Sequence, residues 1–201
     1  MLKKILVIAA IVLNCDVAFA GPFGLEQGMT LKQLSKITKL ERINNAYTYR
    51  TNKVPKPYND IESYQLYVSP TDGLCGIRAV SKKINTGAYG EDVLHKFSKV
   101  EAALISKYGA NESTNELKEG SIWRASNEWM MSLLQKEREL SAYWYIPEEE
   151  EDEYELIDNL YKIKLQAYAL SPSRAYYDVY YYFSNANKCF ETFKKLDNSG
   201  L

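Results

Sequence analysis

The chain has 201 residues, 46% hydrophobic, 25% charged and 13% aromatic, with 17 Tyr, one His and three Cys. That length suits one globular domain or two small ones, and the apolar content excludes disorder, collagen and coiled coil. Lys plus Arg at 25 against Asp plus Glu at 26 leave a net charge of −1, so no global field draws the chain to nucleic acid or anionic lipid and no nucleic-acid partner is expected.

At the amino terminus, Lys3 and Lys4 precede an apolar run from Ile5 to Leu13, and Ala18-Phe19-Ala20 supplies the small residues a signal peptidase accepts. The pattern predicts a signal peptide over 1–20, cleavage before Gly21, and a periplasmic or secreted product with no stable membrane anchor after cleavage. The run falls short of the roughly 20 apolar residues a spanning helix needs. Cys15 follows Val12-Leu13-Asn14, and Asn is bulkier than the residue lipoprotein processing takes before its cysteine. Loss of the leader leaves a mildly acidic chain with two cysteines, Cys75 and Cys189. In an oxidising compartment one disulfide between them is the default, with two buried free thiols as the alternative.

Residues 21–201 read as a single α+β domain. Thr30 and Gln33 form a capping box, with Met29 as a staple onto Leu34, predicting a helix over about 30–39. Asn44-Asn45 breaks the chain before a short strand at Tyr47-Thr48-Tyr49, and Pro55 and Pro57 interrupt the next stretch. Tyr64, Leu66 and Val68 alternate with polar neighbours, Pro70-Thr71-Asp72-Gly73 supplies a turn, and Cys75, Ile77 and Ala79 alternate on the return, which makes a hairpin. From Glu91 the period becomes helical, with Val93, Phe97, Val100 and Leu104 on one stripe and Gly109 after Tyr108 to end it.

The second half is expected to repeat this order. A helical stretch from Ser121 to about Arg138 carries Trp129, Met130, Leu133 and Leu134; Ala142 to Ile146 reads as a strand; 148–153 is an acidic loop. Leu160 to Leu170 and Ala175 to Phe183 form two long strands joined across Ser171-Pro172-Ser173-Arg174, and Asn187 to Leu196 closes as a helix. Both halves read α-β-β-β-α, consistent with pseudo-repeats over 24–110 and 120–200. The fold class is therefore α+β, antiparallel strands with packed helices rather than a parallel sheet.

Chemistry-bearing motifs are scarce. One histidine, His95, lies off the apolar stripe of its helix, whereas imidazole metal sites need two or three. No Gly-x-Ser-x-Gly elbow, phosphate loop or dinucleotide turn occurs, so no cofactor, metal or catalytic residue is assigned. The acidic run at 148–153 reads as a solvated loop or a docking site for a basic partner; it lacks the spacing and turn glycine of a calcium loop. The aromatic strands are the most unusual feature. On the last strand Tyr176, Tyr180 and Tyr182 alternate against Tyr177, Val179, Tyr181 and Phe183. Strand residues of equal parity share a face, so the set with Val179 and Phe183 is expected to meet the core together with Phe190 and Phe193. Tyr176, Tyr180 and Tyr182, with Tyr143 and Tyr145, are the candidate binding residues, because rings bring area at little entropic cost.

Gly28-Met29-Thr30 leading into a short helix and antiparallel strands resembles the small α+β repeats of the outer-membrane assembly lipoprotein and β-lactamase-inhibitor-like families. The wider layout, with Leu74-Cys75-Gly76-Ile77, Tyr108-Gly109 and Tyr182-Phe183-Ser184-Asn185 before Cys189, is similar to secreted bacterial α+β proteins. The resemblance implies an inhibitor-like or interaction module and carries over no catalytic residue. The sequence thus predicts a non-catalytic cell-envelope protein binding a protein or other ligand. The alternative is an envelope hydrolase using dispersed carboxylates, which would show two convergent acids in a pocket.

Overall fold

In a computed structural model, the described residues are 21–43, 47–145 and 156–198. The leader at 1–20 with Cys15, the Asn44-Asn45 break and the acidic run at 148–153 lie outside them.

The capping box forms as expected: Gln33 N–H donates to Thr30 Oγ1 at 3.3 Å and Thr30 N–H to Gln33 Oε1 at 2.8 Å, opening α1 (Leu31–Ile37). Two small strands come after it, β1 (Glu41–Arg42) and β2 (Thr48–Thr51). The hairpin is β3 (Ile61–Ser69) and β4 (Gly73–Ser81), and a two-residue β5 (Ile84–Asn85) comes next. Gly73 has φ 69°, and a Cβ there would stand 2.1 Å from the carbonyl oxygen of Gly28. Only glycine lets the Gly28-Met29 segment lie this close to the turn. Helix α2 (Glu91–Tyr108) buries Val93, Phe97, Val100 and Leu104, the stripe its period predicts.

The second half contains β6 (Glu112–Leu117), α3 (Trp129–Leu134), β7 (Arg138–Tyr145), β8 (Leu160–Ser171), β9 (Arg174–Phe183) and α4 (Ala186–Asn198). Two expectations need correction here. The helix predicted from Ser121 is only six residues long, after a 3₁₀ turn at Ser126–Glu128. Strand β6 is an addition to the expected elements, because Glu112 to Glu116 are polar at every position and carry no period-2 signal.

All pairings are antiparallel, in the order β1-β2-β3-β4-β9-β8-β7-β6, with β5 continuing the β4 side of β9. The nine-stranded sheet does not close into a barrel, and with its helices it makes an α+β fold. The core fills one face. There Leu34 of α1, the α2 stripe, and Trp129, Met130 and Leu133 of α3 pack with Leu66, Ile77, Ala79, Leu165, Val179, Tyr181 and Phe183.

Helix α4 lies on the other face. Val68 pairs with Leu74 and Tyr67 with Gly76, which leaves Cys75 as the extra residue of a β-bulge. The bulge reverses parity, so Cys75 departs from the Ile77 and Ala79 side and packs with Ala186 and Cys189, flanked by Tyr161, Tyr182 and Phe193. Cys75 and Cys189 are bonded, with Cα atoms 6.3 Å apart. Lys188 pairs with Asp72 at 2.9 Å, and Asn185 Nδ2 donates to the carbonyls of Asp72 and Leu74 at 3.0 and 3.2 Å. Phe190 and Phe193 therefore pack on Tyr67, Tyr182 and Tyr47, not beside Val179 and Phe183 as parity alone suggested. Among the described residues no helix is long and apolar enough to cross a membrane.

Candidate binding face

Strand register places the candidate tyrosines together. On β9 the buried residues are Ala175, Tyr177, Asp178, Val179, Tyr181 and Phe183, and the half-buried ones are Tyr176, Tyr180 and Tyr182. The latter three share the face opposite the core. Tyr180 pairs with Lys164, and Lys164 with Tyr143; Tyr182 pairs with Lys162, and Lys162 with Tyr145. Tyr143 and Tyr145 thus stand on the same face two strands away, Tyr145 with 43% of its surface exposed.

One row crosses eight strands: Glu112, Tyr143, Lys164, Tyr180, Arg78, Gln65, Arg50 and Glu41 are successive partners. Side chains directly opposite in such rows have Cβ atoms about 4.5–5.5 Å apart and touch. Lys162 and Lys164 stand 5.4 and 5.2 Å from the Tyr143 ring centroid, and Arg78 lies 5.3 Å from the Tyr180 ring. Tyr180 stacks on Tyr182 at 6.1 Å and Tyr168 on Tyr176 at 5.1 Å. Tyr145 donates to Glu112 Oε1 at 2.5 Å. Lys162 and Lys164 make no ion pair among the described residues.

Beneath the rings sits a buried ion pair that sequence reasoning missed. The Asp178 side chain has no exposure, and that of Arg78 has 25%. Arg78 Nε donates to Asp178 Oδ2 at 2.7 Å, Arg78 Nη2 donates to the same oxygen, and the Tyr180 hydroxyl reaches it at 3.4 Å. Oδ1 is buried with no hydrogen-bond partner. Burial raises the Asp178 pKa, with Arg78 opposing that shift. The surrounding phenols are held protonated: burial raises Tyr67, Tyr168, Tyr176 and Tyr180, and pushes Tyr182 up to about 12. Tyr145 is raised first by its bond to Glu112. The face therefore offers neutral hydroxyl donors and fixed cations.

A signal for part of this was present in β8, where Lys162, Lys164, Gln166 and Tyr168 alternate with Ile163, Leu165 and Ala167. The Arg78–Asp178 pair left none, since its members are 100 residues apart. No protein-family model, curated protein or solved structure matches the chain.

Proposed function

We propose that the chain is an exported, non-catalytic cell-envelope protein that binds a protein partner on the tyrosine face of its sheet. The observation that carries this reading is the row from Tyr143 to Arg78, in which half-buried rings and cations alternate: α1, α2 and α3 pack on the other side, and α4 meets this face at Tyr67 and Tyr182, beside the row. Aromatic anchors and arginine dominate protein interfaces, and a buried pair beneath them keeps the anchors in place before contact. Lys162 and Lys164, lying over Tyr143 without ion partners among the described residues, fit a partner that presents carboxylates between rings. The inhibitor-like character suggested by the resemblance belongs to the same reading, as does export, which the Cys75–Cys189 disulfide supports.

The rival reading, a hydrolase working through dispersed carboxylates, needs two convergent acids. Five cavities along the described residues are lined by one carboxylate at most, and the one beneath α2 by none. The test is capture from envelope extract by wild type, by Tyr145→Ala with Lys162→Glu, and by Lys99→Glu on exposed α2 surface as the control. A partner lost with the first variant, retained with the control, and released by salt supports the proposal. Equal capture by all three, or capture of none, overturns it.

A further inference from the structure

The core side of the sheet holds a cavity that the tyrosine face does not use. It encloses about 270 Å³ between the second half of α2 and the middle of β9. That is room for about nine water-sized volumes, slightly below the usual range for drug-sized ligands. Its floor is buried: Val100, Tyr177, Val179 and Tyr181. Its rim is exposed, at Lys56, Ala103 and Lys107, so the space opens to solvent past the Pro55-to-Tyr58 loop.

Three features set this space apart from a packing defect. First, the charged side chains lining it are both cationic, Lys56 and Lys107. Lys107 is already committed to Asp158 Oδ2 at 2.6 Å, whereas Lys56 makes no ion pair among the described residues. The rim therefore carries one unneutralised positive charge over an apolar interior. Second, Tyr177 is 1% exposed and its hydroxyl is buried with no hydrogen-bond partner. Nearly all such groups in folded proteins have one, and an orphan points to a group supplied from outside the chain. Third, Phe23 stands at φ 60°, an uncommon conformation for a bulky side chain. The Lys56 N–H holds it there through the Phe23 carbonyl at 2.9 Å. Its ring meets Tyr64 and Tyr181 edge-on, at 4.8 and 5.4 Å, and forms part of the wall.

We propose that this cavity is a binding site for a small amphipathic acid, whose apolar body lies under α2 against Val100 and Tyr181 and whose carboxylate sits between Lys56 and the Tyr177 hydroxyl. The charge balance selects an anion over a cation. The volume selects a short body over a full-length lipid tail. Alkyl and aromatic acids share this chemistry, and the aromatic wall suits both. The site is on the opposite side of the sheet from the partner face, so the two proposals stand or fall separately.

The experiment is isothermal titration of the full chain with decanoate and, in a second arm, with 3-phenylpropanoate; decanol and decyltrimethylammonium serve as uncharged and cationic controls. One-to-one saturable binding is expected for at least one acid, and the stronger arm identifies the body. Ala103→Trp places a ring at the rim from an exposed helix position, and is expected to weaken binding at least tenfold. Ala102→Trp, one residue away and outside the lining, is expected to leave it unchanged. Lys56→Gln should weaken the acid roughly two- to fivefold, the range of a partly exposed charge contact, while decanol is unaffected. Tyr177→Phe should weaken the acid severalfold without lowering the melting temperature of the empty protein. Absence of saturable binding by both acids, equal loss with Ala103→Trp and Ala102→Trp, or tighter binding of the cationic control overturns the proposal.

Discussion

Replacing Arg78 with Met keeps most of the aliphatic stem and removes the guanidinium, which leaves the Asp178 carboxylate buried with neither oxygen paired to a cation. Both Arg78 donors go to Oδ2, and Oδ1 has no partner already. Arg78 is the one charge that acts on this carboxyl against its burial, the Tyr180 hydroxyl being its neutral second partner. Removing one member of a buried pair costs about 3–5 kcal/mol. With Arg78 itself 25% exposed, the lower end, about 3 kcal/mol at neutral pH, is expected. The loss should depend on pH in a defined direction. Asp178 already has a raised pKa in the fold, and Arg78→Met raises it further. In the pH range above the unfolded carboxylate value of about 3.9, the folded variant holds a proton that the unfolded chain has released. Stability is then greatest below that value and falls as pH rises, by up to about 1.4 kcal/mol per unit, until the folded pKa is passed. Urea unfolding of Arg78→Met and of Arg78→Met with Asp178→Asn, between pH 5 and 8, isolates this group, since every other carboxylate is common to both. The gap between the two variants should widen with pH. A cost under about 1 kcal/mol, or a gap that does not change with pH, would refute the assignment of Asp178 as a buried ion held by Arg78.

The same geometry sets three other outcomes. Cys75→Ala with Cys189→Ala opens a link between residues 114 apart, for which chain entropy gives a loss of about 4–5 kcal/mol as an upper bound, read as a lower urea midpoint that does not respond to reductant. Asp72 is held at about 2 by its bond from Thr71, then by Lys188 and Ser69; a depressed carboxylate stabilises above about pH 4 and loses that contribution as pH falls toward 2. Asp72→Asn should therefore flatten acid unfolding between about pH 5 and 2, by roughly 1 kcal/mol given the exposure of Lys188. Gly90 opens α2 at φ 75°, and a Cβ there would stand 2.1 Å from the Trp129 ring. Gly90→Ala should cost about 2–5 kcal/mol in chemical denaturation, from backbone strain and forced displacement of α3 together.

The elements with strong local periods were legible from the chain alone. Val93, Phe97, Val100 and Leu104 define α2 and its buried stripe, and Thr30 with Gln33 marks the start of α1 in both sequence and structure. The tyrosine parity of β9 was readable for the same reason, since alternation fixes faces once one face is apolar. The features that escaped depend on long-range contacts. Polar β6 is a strand because β7 offers it a ladder. Helix α3 opens at Trp129, whose ring packs against Gly90, far back along the chain. The bulge at Cys75 adds one residue to β4, and that single insertion reverses the side on which α4 docks. The charges of the candidate face come together only when β8 places Lys162 and Lys164 beside Tyr143, and β4 places Arg78 beside Asp178.

A sheet that runs through eight strands without closing has two rims that no strand pairs among the described residues, and unpaired backbone there invites another chain to add on. On one side the rim is β1, two residues long and made of Glu41 and Arg42, too short to template a ladder. On the other it is β6, whose length would suffice but whose residues are Glu112, Ser113, Thr114, Asn115, Glu116 and Leu117. A second copy adding antiparallel in the register centred on Thr114 would set Glu112 against Glu116 at both ends of the contact, like charges directly opposed. The same polar composition that hid β6 from pattern reading thus disfavours edge-to-edge addition of a second copy in that register.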